Sequence, residues 1–465
     1  MAGLQWRRLK IVVGLIIGCC LLAPPVSALE LGDVDITLHS TTEYRLQWSD
    51  SPADYMLTDE DQDQDFFETL SADFNWREHG LSFSTMMSYA KDLDGTRSGS
   101  IFQDYTDSRG DHRQDFECYY AYLEKSGLFD DALTLRAGRQ YAYGAENIQF
   151  DGLWARYDVP QWLGLEVEAF GGLVVQHYSE LGPDGIGGAN LRIHPLTNLA
   201  LDLNAVFFEE TSWETALYWQ PSDIFKVRSR VAFINDHTRF IDGGLETTIA
   251  ATGTVFDASF YRRYSIASKA DFLFDFSYTL DEALSSELNR LYLMQEESYI
   301  EFDLRLSQPV PFVDGLTVYA RYCNRTLSDD NDENIYNTDF QRITTGFDLE
   351  EGFGIKGSHI SLGYSKWWEK RDKFYEGEST SWFADIEQEF FEKLECSLCY
   401  YHKTEDVNSL IENEASTSYR AAVAYQLCEH SRLELAYEYQ QDDFYEDEIG
   451  VNHINSLNIT LDLDF

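Results

Sequence analysis

The chain has 465 residues, a formal net charge of −46 and a mean hydropathy of −0.37, with 25% charged and 15% aromatic residues. Coulomb repulsion makes nucleic acid an unlikely ligand for so acidic a chain, and 29 Tyr and 30 Phe exclude an acidic disordered protein. No second long apolar stretch follows the first 28 residues, which excludes a helical membrane protein.

The chain opens with an export-signal pattern. Arg7, Arg8 and Lys10 form a basic region, an apolar run spans about Ile11 to Leu22, and Val26-Ser27-Ala28 is a small-residue site that predicts cleavage before Leu29. Ile16-Ile17-Gly18-Cys19 resembles a lipoprotein box, but the apolar run continues past it to the better site. Residues 1–28 are therefore expected to be a cleaved signal peptide and 29–465 one outer-membrane domain. The leader holds no acid, so its loss leaves the remainder more acidic still.

From there the dominant signal is period-two alternation. In the first strand, 31–48, Val34, Ile36, Leu38, Tyr44, Leu46 and Trp48 share one face, while Asp35, Thr37, His39, Glu43 and Arg45 share the other. Further on, Leu199, Leu201, Leu203 and Phe207 oppose Asp202 and Asn204, and Val227, Val231 and Phe233 oppose Lys226, Arg228 and Arg230. Ile300, Phe302, Leu304 and Leu306 oppose Glu301, Asp303 and Arg305. Leu433, Leu435 and Tyr437 oppose Arg432, Glu434 and Glu438. The last strand alternates Leu457, Ile459, Leu461, Leu463 and Phe465 with Asn458, Thr460, Asp462 and Asp464. A terminal strand ending in Phe465 resembles the sorting signal read by barrel-assembly machinery.

Connections alternate in length as well. Short ones fall at 77–80, 160–164, 194–198, 220–223 and 428–431; long polar ones fall at 49–64, 92–112, 264–296, 325–337, 369–380, 404–415 and 440–452. The segment 264–296 reads as an outer loop, a lumenal plug or an extra hairpin. Nine Pro in the whole chain suit long uninterrupted ladders. The pattern predicts an all-β fold, a transmembrane antiparallel up-and-down barrel of about 22 strands (range roughly 20–24). Its turns would be short on the periplasmic side and its acidic loops long outside. A water-soluble β-sandwich is the rival, but its strands usually run to about 5–6 residues. A barrel this wide has a lumen that side chains do not fill.

The segment Leu135-Arg136-Ala137-Gly138-Arg139-Gln140-Tyr141-Ala142-Tyr143-Gly144, followed by Phe150-Asp151-Gly152, resembles the alginate-export family of outer-membrane channels over about 30 residues. The resemblance implies that arginines here line a path for a polyuronate. Alternation points Arg136 inward and Arg139 toward lipid, unless a bulge at Gly138 turns Arg139 inward. Arg136, Arg139, Gln140, Asp151 and Arg156 are therefore constriction candidates, with Lys226, Arg228 and Arg230 as a second basic stripe. The same residues read equally well as an ion-pair ladder bracing the wall.

The charge departs from that family, since a polyanion conduit needs a positive lumen. Much of the acid sits in loops such as 59–65, 329–333 and 442–448. These loops could bind divalent ions bridging lipopolysaccharide. The 61–65 acids are not an EF-hand, because Phe66 stands where the loop needs Gly.

No enzyme is expected: His177, His237 and His402 sit near loops without a Gly-x-Ser-x-Gly or comparable constellation. No cofactor is expected either, since no Cys-x-x-Cys-His haem motif occurs. Cys396-x-x-Cys399 invites a metal or redox reading, but on a strand residues three apart face opposite sides.

Two functions fit. The first is a porin-like channel passing polar or charged solutes, or exporting a polysaccharide. The second is a sleeve around a multihaem cytochrome in a trans-outer-membrane electron conduit. Expected partners are outer-membrane lipid, lipopolysaccharide and the barrel-assembly machinery, with a periplasmic partner or the cytochrome in the sleeve reading, and no nucleic acid.

Overall fold

In a computed structural model, the described residues are 33–49, 62–94, 114–143, 147–175, 185–208, 210–264, 298–328, 339–372, 375–407, 414–442 and 453–464. The expected signal peptide, Phe465 and the segment 265–297 lie outside them. The strands of the first third are β1 (Val34–Trp48), β2 (Gln62–Trp76), β3 (Leu81–Asp92), β4 (Gln114–Leu128), β5 (Leu133–Ala142), β6 (Ile148–Val159) and β7 (Leu165–Val174). Next come β8 (Gly185–Leu196), β9 (Leu199–Phe208), β10 (Glu210–Ser222), β11 (Phe225–Ile234), β12 (His237–Ile249), β13 (Thr254–Arg263), β14 (Tyr299–Pro309) and β15 (Leu316–Leu327). The last are β16 (Asp339–Glu350), β17 (Ser358–Asp372), β18 (Tyr375–Phe390), β19 (Leu394–Val407), β20 (Glu414–Cys428), β21 (Ser431–Asp442) and β22 (His453–Asp464).

Each strand pairs antiparallel with its chain neighbours, and β1 pairs with β22 from His39–Asp464 to Trp48–Asn455. The sheet is a closed 22-stranded barrel. Closure removes the free edges that an open sheet would present to lipid, where no water satisfies backbone groups. No helix among the described residues is long and apolar enough to cross a membrane.

The two faces separate as the alternation requires. Leu153 (67% exposed), Leu398 (59%), Leu435, Ile386, Leu203 and Leu304 occupy one set of alternate positions. That apolar face is the outer one. Exposed aromatics lie toward both of its margins, with Phe116, Trp213 and Tyr419 in the outer halves of their strands and Tyr157, Trp219 and Tyr425 near the periplasmic ends. This is the belt pattern of a bilayer-embedded surface. So much contiguous exposed apolar surface is not compatible with water.

The turns at 77–80, 129–132, 160–164, 197–198, 223–224 and 429–430 are tight. On the other side the connections are unequal. The expected long loop at 369–380 is not one: β17 runs to Asp372 and β18 begins at Tyr375, which pair with each other, so only two residues separate the strands. Phe208–Glu210 and Ile234–His237 are also joined by short connections on that side. The polar residues of 369–380 mislead because a strand rising beyond the membrane is wet on both faces and loses its alternation.

Cys396 and Cys399 behave as plain strand residues. Cys396 lies opposite Val423 on the outward face, whereas Cys399 lies inward and donates to Asp385 Oδ2 at 2.6 Å.

Candidate functional site

The inward face is a lattice of ion pairs. Arg136 reaches Glu124 with Nε at 3.1 Å and Nη2 at 2.7 Å, and its guanidinium lies between the rings of Tyr122 (4.2 Å) and Trp154 (4.7 Å). Arg325 repeats the arrangement with Glu301 (2.7 Å) and the rings of Tyr299 and Phe340. Arg192–Asp202 (2.7 Å), Arg420–Glu434 (2.6 Å) and Arg45–Asp65 (2.5 Å) continue it around the wall. A planar fork matches a carboxylate and stacks on rings at the same time, so arginine rather than lysine dominates.

Four of the six predicted cationic site residues join this lattice, and a fifth is paired elsewhere. Arg136 pairs with Glu124, Arg156 with Asp158 (3.4 Å), Lys226 with Glu246 (2.7 Å) and Arg230 with Asp242 (3.0 Å), whereas Arg139 pairs with Asp151 (2.9 Å) on the opposite face of the β5–β6 hairpin, level with Leu153 and Leu173. Arg228 lies inward with the four, opposite Tyr218 and Gly244, and has no acid partner among the described residues. The bracing role weighed for these residues is the one their contacts match, and Arg136 carries it most fully. Replacing Arg136 with alanine strands Glu124 and removes two cation–π contacts. The expected cost is about 1–3 kcal/mol, read as a lower urea midpoint of the vesicle-embedded barrel, with single-channel current nearly unchanged.

The narrowing element is the outer end of the β5–β6 hairpin. The β4–β5 ladder stops at Ala121–Arg139, although β4 extends to Gln114. The β5–β6 ladder continues unbroken to Ala142–Ile148. The hairpin therefore leaves β4 at Gly138, whose φ of +132° is open to glycine and rarely to other residues. Its side chains cap the abandoned strand: Gln149 Nε2 donates to the carbonyls of Cys118 (3.1 Å) and Tyr119 (2.5 Å), and Arg139 Nη1 donates to Cys118 (3.5 Å). Tyr119 is the extra residue of a bulge in the β3–β4 ladder, between Tyr120 and Cys118.

The hairpin folds inward. Asn204 Nδ2, on the lumenal face of β9, donates to the carbonyl of Tyr143 at the hairpin tip. β5 and β9 are four strands apart, roughly 19 Å along a sheet, a span that side chains alone do not bridge. Ala142, Ile148, Phe150, Val174, Ile186, Val206 and Phe208 close beneath it into one buried cluster, with Phe170 packed against it. Ile148, Phe150 and Val206 are completely buried.

Glycines make the fold line. Gly138 faces Gly152, and Gly152 faces Gly172, in one row across β5, β6 and β7. A Cβ on Gly152 would stand 2.7 Å from the Gly172 Cα, and one on Gly172 would stand 2.7 Å from the Gly152 Cα. Backbone meets backbone there, and neither strand has room to give way.

Arg139, Gln140 and Asp151 sit on this fold line. Gln140 is buried and donates to the Gly152 carbonyl, whereas the Asp151 side chain is half exposed and pairs with Arg139. The expected bulge at Gly138 is thus a fold of the whole hairpin: the β5–β6 register does not slip, and the break is with β4. Arg156 and Arg136 lie in the wall below it. The sequence reading places residues at the hinge but not the cluster, because alternation gives 145–158 no consistent face: Trp154 and Arg156 fall in the same register.

A closed barrel with an apolar belt outside and a charged wall inside is the architecture of an integral outer-membrane β-barrel. Three solved structures are similar in outline. A BenF-like porin from Pseudomonas fluorescens shares 12% identity at a TM-score of 0.47, over 94% of this chain and 100% of that one. Acinetobacter baumannii OccAB3 shares 12% at 0.44, over 93% and 99%. The P pilus usher (PapC) translocation pore shares 8% at 0.49, over 92% and 99%. At such identities and scores the architecture rests on this chain's own strand pairing. No protein-family model matches the chain, and no curated protein matches it by sequence.

Proposed function

We propose that the chain is a passive outer-membrane channel for small polar or charged solutes, narrowed by the infolded β5–β6 hairpin. The hairpin is the observation that carries this reading. A 22-stranded barrel is too wide for its wall side chains to fill. A hairpin packed inside it on a dedicated apolar cluster reduces the bore without closing it, which is what sieving requires. Selectivity then comes from charged inward side chains.

A sleeve around a multihaem cytochrome calls for an unobstructed bore, and the hairpin stands against it. The alginate-export resemblance would add a polyuronate cargo, but Arg136 and Arg139 are both neutralised by acids, so the features favour small solutes. Transport without catalysis fits a lumen whose polar groups are tied to one another. Lipopolysaccharide contact, delivery by a signal peptide and assembly through Phe465 complete the reading.

Swelling of proteoliposomes in a size series of uncharged sugars tests it. Fast entry of pentoses and hexoses with a steep fall at trisaccharides is expected. Vesicles tight to every sugar would overturn the channel.

A further inference from the structure

The outer end of the β1–β2–β3 wall gathers carboxylates. Asp63, Asp65 and Asp92 lie on its inward face, with Asp65 opposite both Arg45 of β1 and Asp92 of β3, and Asp63 opposite Gln47. Asp94 closes the group just past the end of β3. Its Oδ1 accepts from the Gln64 backbone at 3.0 Å, and its own backbone N–H donates to Asp92 Oδ1 at 3.0 Å. Asp63, Asp92 and Asp94 each bring an oxygen within 4.8 Å of the other two. That is about the span of a calcium coordination sphere, whose oxygens stand roughly 2.3–2.6 Å from the ion.

These acids are enclosed. Asp63 is 3% exposed, Asp65 0% and Asp92 2%. Burying a charge costs several kcal/mol unless a counter-charge is at hand. Among the described residues, Arg45, held by Asp65, is the only base on the inward faces of the outer halves of β22, β1, β2, β3 and β4. β4 adds Asp115 and Glu117 instead. One positive charge thus stands among the four carboxylates of Asp63, Asp65, Asp92 and Asp94.

Two oxygens beside them lack a donor. Arg45 occupies only Oδ2 of Asp65, and the fully enclosed Oδ1 receives no hydrogen bond. The Asp63 carboxyl lies within hydrogen-bond reach of Asp65. On β1, Gln47 gives its amide N–H to Ser456 Oγ and leaves its buried Oε1, opposite Asp63, equally unmatched. Enclosed oxygens without donors, next to acids that already meet one another, are what a bound cation satisfies. Every group is a hard oxygen, with no His or Cys among them, which selects calcium or magnesium over a transition metal.

We propose that Asp63, Asp92 and Asp94 hold a calcium ion, with Asp65 and Gln47 as flanking oxygen donors. The ion clips the outer end of β2 to that of β3 beside the β22–β1 closure. It differs from ions bridging loop acids to lipopolysaccharide, because these carboxylates are enclosed by the protein, and it stands whether or not the barrel conducts. Magnesium is the poorer fit. It demands near-octahedral oxygens at about 2.0–2.1 Å and gives up its waters reluctantly, whereas Asp63 and Asp92 are shut away from water.

Calorimetric titration of the refolded chain in lipopolysaccharide-free detergent, stripped with EDTA, tests the site. One calcium per chain is expected, with a Kd of about 0.1–1 mM or tighter. The thermal midpoint should rise with calcium and rise less with equal magnesium. D92N, which keeps the side chain's shape, should weaken binding at least about tenfold and lose the calcium-dependent rise. D63N should do the same and keeps the test available if D92N fails to refold. D329N/D330N, in an acidic stretch elsewhere in the sequence, should bind as the parent does. The proposal is overturned by no saturable calcium binding, by equal binding of magnesium, by binding that D92N and D63N leave intact, or by binding lost in D329N/D330N. The channel reading, tested by sugar entry, is untouched by any of these outcomes.

Discussion

Replacing Phe150 with alanine is expected to release the β5–β6 hairpin and raise single-channel conductance several-fold. Phe150 is fully buried at the centre of the cluster beneath the hairpin, and its ring lies 5.3 Å from that of Phe170. Truncating a buried Phe costs about 3–5 kcal/mol. The barrel as a whole absorbs that loss, because its wall ladders do not depend on the cluster. The hairpin beyond Arg139 has no ladder to β4, so the cluster and a few side-chain hydrogen bonds are what hold it down. Local opening draws on that smaller stability. Conductance should rise and become noisier, and external protease should cut near residue 143. A variant with unchanged conductance and intact protection would show that the hairpin does not set the bore.

Replacing Gly172 with valine is expected to have the larger effect on assembly. Its Cβ would press on the Asp151 carbonyl and on the Gly152 Cα, both of them backbone. No rotamer relieves a clash of that kind, and separating β6 from β7 opens a ladder that runs from Phe150–Val174 to Val159–Leu165. Unpaired backbone in lipid costs several kcal/mol per group. We expect loss of the folded band that migrates faster than the heated protein in gels. Gly185, near the same ladder but with only one atom, at 4.0 Å, within contact distance of an added Cβ, serves as the control: Gly185→Ala should assemble normally.

The contrast between these sites shows what was readable in advance. Strand 457–464 was plain because its outward Leu and Ile alternate with Asn, Thr and Asp, and the alternation survives in the pairing with β1 and β21. Lys226, Arg228 and Arg230 were placed inward for the same reason, and they lie there. The stretch 145–158 was obscure. Ile148, Phe150, Gly152, Trp154 and Arg156 share one face, and no single environment suits all five. The explanation is that the face changes partners: below Gly152 it lines the lumen, and above it packs into a private core. Of the doublets Gly171-Gly172 and Gly187-Gly188, only Gly172 falls in the row with Gly138 and Gly152, and that alignment exists only once the register is known. Likewise the ion pairs were implied as a class by alternating charge. Which arginines stay unpaired depends on the partner opposite each one, and that is again a matter of register.

The most direct test of the central claim is the single-channel conductance of the purified, refolded chain in a planar bilayer under a KCl gradient. An open lumen with an excess of acid predicts stable unitary currents and a reversal potential on the potassium side. No current across the voltage range, with the folded gel band present, would contradict a channel and leave the barrel without a water-filled path.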